Sequence, residues 1–110
     1  MNEAAVKKTL GLISLCRRAG KLCTGMKAVL EKAERGEAAL ILLAEDLSLR
    51  SAERLRNRLP EETPVRSLPC TMQTLSEVTG KAAGIIAVCD ENFACGIRAT
   101  LSDEEEDLDR

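Results

Sequence analysis

The sequence contains no histidine, tryptophan or tyrosine, and Phe93 is its only aromatic residue. Without histidine, neither the usual Ser/His and Cys/His nucleophile–base pairs nor a His-containing zinc site can be built. With one aromatic residue, the chain cannot form the surface on which RRM sheets and OB folds stack unpaired bases. We therefore predict a protein that is not an enzyme, and any nucleic-acid binding must depend on backbone and shape.

The cysteines do not follow a metal-binding or disulfide pattern. They occupy positions 16, 23, 70, 89 and 95, their number is odd, and no two form a Cys-x-x-Cys pair. Positions 16 and 89 lie inside apolar runs. We predict buried, reduced thiols in an intracellular protein, with no metal and no cofactor.

Long hydrophobic runs are also missing. The longest apolar stretch, residues 82–89, has about eight residues, whereas a membrane-spanning helix needs ~20. No charged-then-apolar leader precedes a cleavage site. We expect a soluble, cytoplasmic protein that does not associate with membranes.

The net charge of −2 hides an uneven distribution of charge. Six of the 18 acidic residues lie in residues 103–110, together with Arg110. Without that segment, 15 basic and 12 acidic residues remain, so residues 1–102 carry +3. We predict one domain over residues 1–101 and an acidic, disordered tail over residues 102–110, which cannot bury apolar surface.

Apolar spacing and turn residues predict nine secondary-structure elements that alternate from helix to strand. The five helices are predicted over residues 3–18, 25–35, 49–59, 71–79 and 90–101. The four strands are predicted over residues 21–24, 38–44, 64–68 and 82–89.

Two of these strands, 38–44 and 82–89, contain no polar side chain. Strands of this kind are buried on both faces, which requires helices on both sides of the sheet. The third strand, 64–68, begins with proline and is predicted at an edge, because proline cannot donate to a ladder. We therefore predict an α/β fold, a three-layer α/β/α sandwich with a four-stranded mixed sheet.

Polar residues predict how the helices begin. Asn2, Ser48 and Asp90 are predicted N-caps, and Thr74 with Glu77 fits a capping box in a helix that could also start earlier. In the third helix, the apolar positions 49, 52, 55 and 59 are predicted to face the core.

Residues 17–27 combine four cations with two glycines where a turn leads into the second helix. Backbone N–H groups at a helix start attract anions, and flanking lysines favour phosphate. This segment belongs to a folded α/β unit and is not a basic tail. It therefore indicates a small RNA-binding domain.

Four motifs occur in the order found in a known family. They are Arg-Arg-Ala-Gly-Lys-Leu-x-x-Gly at 17–25, Leu-Ile-Leu-Leu-Ala-Glu-Asp-Leu-Ser at 40–48, Thr-Pro-Val at 63–65, and Ile-Ile-Ala-Val-Cys-Asp-Glu-Asn-Phe-Ala at 85–94. Over about residues 5–101 the chain resembles the ribosomal protein 7Ae/30e family of kink-turn RNA binders. More narrowly, it resembles the small bacterial members encoded near translation-initiation and transcription-termination factors.

The resemblance implies two RNA-binding surfaces. In the family, the turn before the second helix and its first turns lie in the RNA major groove at tandem G·A pairs. A loop after the third strand packs an apolar residue against an extruded base. Carried over by position, the first surface consists of Gly25, Met26, Lys27, Ala28 and Glu31, with Arg18 and Lys21 nearby as phosphate contacts. The second consists of Leu68, Pro69 and Cys70, of which Leu68 and Pro69 are predicted to form an exposed turn unless RNA or a protein covers it.

Three positions depart from the best-characterised kink-turn binders. Those proteins carry Asn, Glu and Lys where this chain has Lys27, Ala28 and Glu31. Lys27 can still donate to a guanine edge or a phosphate, whereas Glu31 places an anion where a cation should meet the backbone. Without RNA, Lys27, Glu31 and Arg35 could equally form a solvated ladder of ion pairs.

A second set of cations is interpreted as a solvated helix face. It lies on the predicted third helix and consists of Arg50, Arg54, Arg56 and Arg58.

The resulting hypothesis is a non-enzymatic RNA-binding protein of the translation apparatus, with structured ribosomal or messenger RNA as its partner. Ribosome association and a monomeric state are expected with it. A protein–protein adaptor on the same fold, with weak or no RNA binding, is the alternative. An enzyme is the more distant reading, because no nucleophile–base or metal constellation is visible.

Overall fold

The computed structural model describes the backbone of residues 3–108 and the side chains of residues 3–101. Its elements alternate from helix to strand in the predicted order. In chain order they are α1 (Glu3–Arg18), β1 (Leu22–Thr24), α2 (Met26–Glu34), β2 (Leu40–Leu43), α3 (Leu49–Arg58), β3 (Val65–Ser67), α4 (Met72–Thr79), β4 (Ile85–Val88) and α5 (Glu91–Leu108).

The strands form one mixed sheet in the order β1-β4-β2-β3. β4 is antiparallel to both of its neighbours, β1 and β2, whereas β2 and β3 are parallel. The predicted mixed sheet and the predicted edge position of the third strand are therefore confirmed. Two ends of the sheet follow from these directions. At one end of the sheet, β4 starts where β1, β2 and β3 end. At the other end, β4 ends where those three strands start.

Alternation along β2 and β4 divides the core into two layers. Leu40 and Leu42 pack with α1, α4 and α5 on one face. Ile41 and Leu43 pack with α2 and α3 on the other. Every residue of β2 and β4 is buried, which confirms the three-layer α/β/α sandwich.

The central strands are shorter than the predicted apolar runs. β2 begins at Leu40 where the sequence predicted 38, and β4 begins at Ile85 where it predicted 82. The flanking residues still bond to the sheet: the Ala39 N–H donates to the Val88 carbonyl oxygen, and the Ala44 N–H to that of Gly84. The apolar run therefore includes the strand and the residues that bring the chain into it.

Two helix starts match the predicted caps and one does not. The Ser48 hydroxyl accepts a hydrogen bond from the Ser51 N–H, and an Asp90 carboxylate oxygen accepts two at the start of α5. The capping box at Thr74 is wrong and the alternative of an earlier start is confirmed, because Thr71 is the N-cap and its hydroxyl accepts from the Thr74 N–H. Asn2 lies outside the described residues.

Leu49 was predicted to face the core, but it is 81% exposed. Leu55 on the same helix is fully buried. Each α-helical residue advances the chain by about 100°, so two three-residue steps leave Leu49 about 120° away from Leu55. The prediction is wrong because a three-residue spacing drifts off one helix face.

The last helix was predicted to end near Leu101, but α5 continues to Leu108. Residues 102–108 of the predicted acidic tail therefore belong to α5, and residues 109–110 lie outside the described residues. No proline or glycine follows Gly96, and glutamate is a good helix former. Nothing in the sequence after Leu101 breaks the helix.

The cysteines are all free thiols, but they are not all buried. Cys16 and Cys70 are buried, Cys23 and Cys89 are partly buried, and Cys95 is exposed on α5. Burial is the main reason why the pKa of Cys16 rises from 9.0 to about 11. The prediction of buried thiols is therefore wrong for Cys95.

We expect the thiols to react with an alkylating reagent at rates that follow their burial. In the native protein at pH 8, Cys95 should react first, and Cys16 should wait for an opening of the fold because its thiol is buried and stays protonated. Peptide mapping by mass spectrometry after timed labelling measures the order. Cys95→Ser should remove the fast phase, all five cysteines should react in denaturant, and fast native labelling of Cys16 would contradict the packing.

Candidate functional site

The start of α2 leaves backbone N–H groups free. Gly25 precedes the helix with φ 92° and ψ 152°, a conformation that glycine adopts and other residues rarely do. Because Gly25 has no side chain, it cannot cap the helix. The Gly25 N–H donates to the Ile85 carbonyl oxygen (2.9 Å), which ties the helix start to β4. The next three N–H groups, of Met26, Lys27 and Ala28, precede the first intrahelical bond. They find no acceptor among the described residues and can donate to an anion.

Side chains cap the starts of α3, α4 and α5. Ser48 caps α3, Thr71 caps α4, and Asp90 caps α5 with bonds from the second and third residues after it. The Asp46 carboxylate also accepts the Met72 N–H at the start of α4 (2.8 Å). Of α2 to α5, α2 therefore has the start best suited to an external acceptor.

Lys27 stands in this first turn without a partner. It is exposed, and no acid of the described residues lies within ion-pair distance. Together with Thr24, Met26 and Glu31 it lines an open hollow of about 510 Å³. Glu31, one helical turn later, is also exposed and brings the only carboxylate to this hollow. The ladder of ion pairs considered for Lys27, Glu31 and Arg35 does not form, because no two of these residues lie within ion-pair distance.

A second hollow adjoins the first. It has a volume of about 300 Å³, shares Thr24 and Ala28 with it, and adds Arg17 and Lys81. An Arg17 guanidinium nitrogen donates to the Val78 carbonyl oxygen at 3.4 Å. Arg17 therefore offsets the negative end of α4, and Lys81 is the less constrained cation of the two.

Sequence reasoning missed this contribution of Arg17 and Lys81. The two residues lie far apart in the chain, and packing of α1 against α4 brings them to the same edge of the sheet. The sequence feature that could have indicated this cation is its position directly after a helix end, since Lys81 follows Gly80, the C-cap of α4.

The predicted phosphate contacts Arg18 and Lys21 precede β1, whereas Gly25 follows it. The Lys21 carbonyl oxygen accepts from the Cys89 N–H (2.8 Å) at the start of β1. Gly25 follows the other end of that strand, about 13 Å away at ~3.3 Å per extended residue. Arg18 belongs to the last turn of α1, before the chain turns into Lys21. Lys21 and Gly25 therefore lie at opposite ends of β1.

A cleft of about 750 Å³ lies at that far end of the sheet and includes Lys21. Its other cations are already paired: Lys32 lies 3.4 Å from Glu37, and Arg98 lies 2.7 Å from Glu91. Because each pair neutralises itself, size alone does not make this cleft the better anion site.

The loop after β3 differs from its predicted form. Leu68 is 1% exposed and Cys70 7% exposed, and both pack in the core below α4. The Leu68 N–H donates to the Leu43 carbonyl oxygen at 2.7 Å, which continues the β2–β3 ladder inward. The predicted exposed turn is therefore wrong for Leu68, whereas the predicted burial of Cys70 is confirmed, and of the three residues Pro69 presents the most surface.

An apolar surface does exist at this end of the sheet, but it is made by other residues. Met72 is 37% exposed. A Cβ atom on Gly84 would lie 2.7 Å from the Met72 sulfur and 3.0 Å from a Leu47 methyl group, so both side chains cover Gly84. Gly84 precedes Ile85, the residue that holds Gly25. The apolar surface and the start of α2 therefore share one end of the sheet.

The described residues offer little for other chemistry. Within them, no three potential Cys, Asp or Glu ligands come together as a metal site. Among residues 3–108, none of the helices has both the length and the hydropathy of a bilayer span.

An α/β/α sandwich with an uncapped, basic helix start at one end of its sheet defines a class of small protein with an anion-accepting surface. Residues 7–97 match the model of the ribosomal protein L7Ae/L30e/S12e/Gadd45 family. The chain belongs to this family, which confirms the resemblance.

Relatives and solved structures agree with the family assignment. A protein of Enterococcus faecium named RNA-binding protein YlxQ is 26% identical over 98 residues, covering 86% of this chain and 91% of the relative. The structure of a Bacillus halodurans C protein of unknown function matches with a TM-score of 0.79 and 27% identity, covering 86% of this chain and 97% of that one. The Giardia lamblia 15.5kD RNA binding protein shares the fold, with a TM-score of 0.69 and 14% identity over 96% of this chain and 92% of its own.

We expect Gly25→Ala to destabilise the protein through backbone strain. Nothing lies within 4 Å of a Cβ atom added at Gly25, so the cost comes from its φ of +92° and should be ~1–3 kcal/mol. Gly11→Ala is the matched control: its Cβ also meets nothing, but it lies inside α1 and should stabilise by up to ~1 kcal/mol. Urea denaturation measures both, and equal stabilities would contradict the conformation of Gly25.

Proposed function

We propose that this protein binds structured, kink-turn-like RNA through the start of α2 and serves the translation apparatus without catalysing a reaction. Ribosomal or messenger RNA is the partner in this proposal, and the protein acts as a cytoplasmic monomer associated with the ribosome.

The three free N–H groups at the start of α2, beside unpaired Lys27, carry the proposal. Free helical N–H groups and an adjacent cation form an acceptor site for a phosphate or for the carbonyl edge of a base. Lysine can donate to the O6 and N7 acceptors of guanine. This arrangement suits a G-rich, distorted duplex whose groove admits a helix end.

The apolar surface of Met72 and Leu47 supplies the second half of the interface. It takes the place that the resemblance gave to Leu68 and Cys70, because those two residues are committed to the core. In this proposal Met72 and Pro69 cover an extruded base. Methionine suits such a contact, since its thioether packs against aromatic rings.

The comparisons support the proposal from outside the site. A bacterial relative with 26% identity is named an RNA-binding protein, and the family to which this chain belongs is the one implied by the four sequence motifs. Binding without stacking aromatics also agrees with the composition, because Phe93 packs against the core on α5.

One observation favours the adaptor as a second candidate. Glu31 places an exposed carboxylate in the same hollow as Lys27, which weakens the attraction to phosphate. The salt dependence of binding separates the candidates. RNA contacts should give a log–log slope of about −0.9 per neutralised phosphate, by analogy with duplex DNA, whereas an adaptor should show no RNA affinity to titrate.

Lys27→Ala should weaken kink-turn binding by ~1–3 kcal/mol, the typical contribution of a base-edge contact. Lys21→Ala removes the same charge at the far end of the sheet and should change the affinity little. Fluorescence anisotropy with a labelled kink-turn RNA measures both variants. Circular dichroism should confirm that each is folded, and wild-type affinity in folded Lys27→Ala would exclude the start of α2 as the site.

Glu31→Lys should strengthen kink-turn binding by about 1 kcal/mol, the upper range for one exposed charge pair. The carboxylate would face phosphate, and lysine stabilises an exposed helix as well as glutamate does. Glu34→Lys makes the same charge change one turn further from Gly25 and should have a smaller effect. Both are measured on a kink-turn RNA and on a straight duplex of equal length, and equal gains on the two RNAs would indicate added non-specific charge only.

A further inference from the structure

α3 presents four guanidinium groups that no other described residue neutralises. All four are exposed, and none makes a hydrogen bond or an ion pair with the described part of the chain. Glu53 is the only acid on the helix. The four residues are Arg50, Arg54, Arg56 and Arg58.

Three of these arginines form a stripe. Arg50, Arg54 and Arg58 follow one another at four-residue spacing, so successive side chains rise by about 6 Å along one flank of the helix. Leu55 marks the buried face. Arg56 falls on the opposite flank, about 160° from both Arg54 and Arg58, although it belongs to the same stretch of chain.

The stripe turns toward α2. α3 connects the adjacent parallel strands β2 and β3, and such crossovers are right-handed in nearly all proteins. With that hand, the flank of Arg54 faces α2, which α3 contacts, and the flank of Arg56 faces the β3 edge. On α2, Ala28 lines the hollow beside β1, which leaves Lys27 on the side toward α3.

Helix stability does not explain this arrangement. Like charges four residues apart repel each other on a helix, and Arg50 lies in the first turn, where a cation opposes the helix dipole. No acid occupies the first turn of α3. A stripe that costs stability and is left unpaired is an electrostatic footprint for a polyanion.

We propose that the sugar–phosphate backbone of an RNA arm runs along α3 and contacts Arg50, Arg54 and Arg58. The proposal rests on RNA binding at the start of α2, and it extends that interface across the α2–α3 groove. The stripe spans about 12 Å, a length over which a duplex strand carries several phosphates, since the per-strand repeat is ~3.4 Å in DNA. The contacts read no sequence; they fix the orientation of the bound RNA.

The test compares two RNAs and two single variants at matched charge. One kink-turn RNA has short arms, and the other has arms longer by about one helical turn. Arg54→Gln and Arg56→Gln each remove one charge from neighbouring turns of α3, and the triple variant R50Q/R54Q/R58Q removes the stripe. Affinities are measured between 50 and 200 mM salt, with circular dichroism as the check of folding.

We expect the triple variant to lower the magnitude of the salt slope by about 2.7 on the long RNA, which is ~0.9 for each of three phosphates. Over a fourfold change in salt, the affinity ratio of wild type to variant should then change by roughly 40-fold. Arg54→Gln should reduce the slope by about one and Arg56→Gln should leave it unchanged. On the short RNA, all variants should bind as the wild type does.

Three results would overturn the inference. Equal effects of Arg54→Gln and Arg56→Gln would show that RNA responds to the overall positive charge of α3 and not to the stripe. Unchanged slopes in the triple variant, with wild-type binding intact, would remove α3 from the interface and leave the proposed function standing. Competition by polyglutamate as effective as that by RNA, charge for charge, would show that α3 binds an acidic polypeptide.

A fourth result concerns the function itself. If the wild type binds neither RNA at 50 mM salt, the proposed function fails, and the proposed RNA contact with the stripe on α3 fails with it. This result differs from a failure of the α3 contact alone, because in that case the short RNA still binds.

Discussion

The fold depends on the burial of two short strands on both of their faces. β2 and β4 contribute four residues each, all buried, and their side chains alternate between the two helical layers. A strand without polar side chains has no solvent face to offer, so helices must cover both sides. The antiparallel pairing of β4 with β1 and β2 then sets which loops lie at which end of the sheet.

The candidate site follows from that pairing. Because β4 starts where β1 ends, the Ile85 carbonyl oxygen can hold Gly25 and fix the start of α2. The same end of the sheet receives Gly84 with Met72 and Leu47 above it. The free N–H groups and unpaired Lys27 come from the start of α2, the apolar surface comes from Leu47 and Met72, and β4 brings these three segments to one end of the sheet.

Sequence reasoning identified every element and the family, and it failed where position in three dimensions decides. Leu68 is apolar in a loop, and its place in the core results from the continued ladder to Leu43. Lys21 lies four residues from Gly25, yet an extended strand separates them by its full length. Thr9 and Thr100 share a buried hydrogen bond of 2.6 Å between α1 and α5, and no periodic pattern indicates such a pair.

The sequence by itself determined the order of elements, the buried strands and the glycine before α2, because these depend on neighbouring residues and on backbone conformation. Only the tertiary structure decided which charges lie together. Side-chain charges act through space over about 10 Å at ordinary salt, and chain neighbours such as Lys21 and Gly25 can be farther apart than that. The grouping of Arg17 with Lys81, and the orientation of the α3 stripe toward α2, arise from the packing of helices on the sheet, which local sequence does not encode.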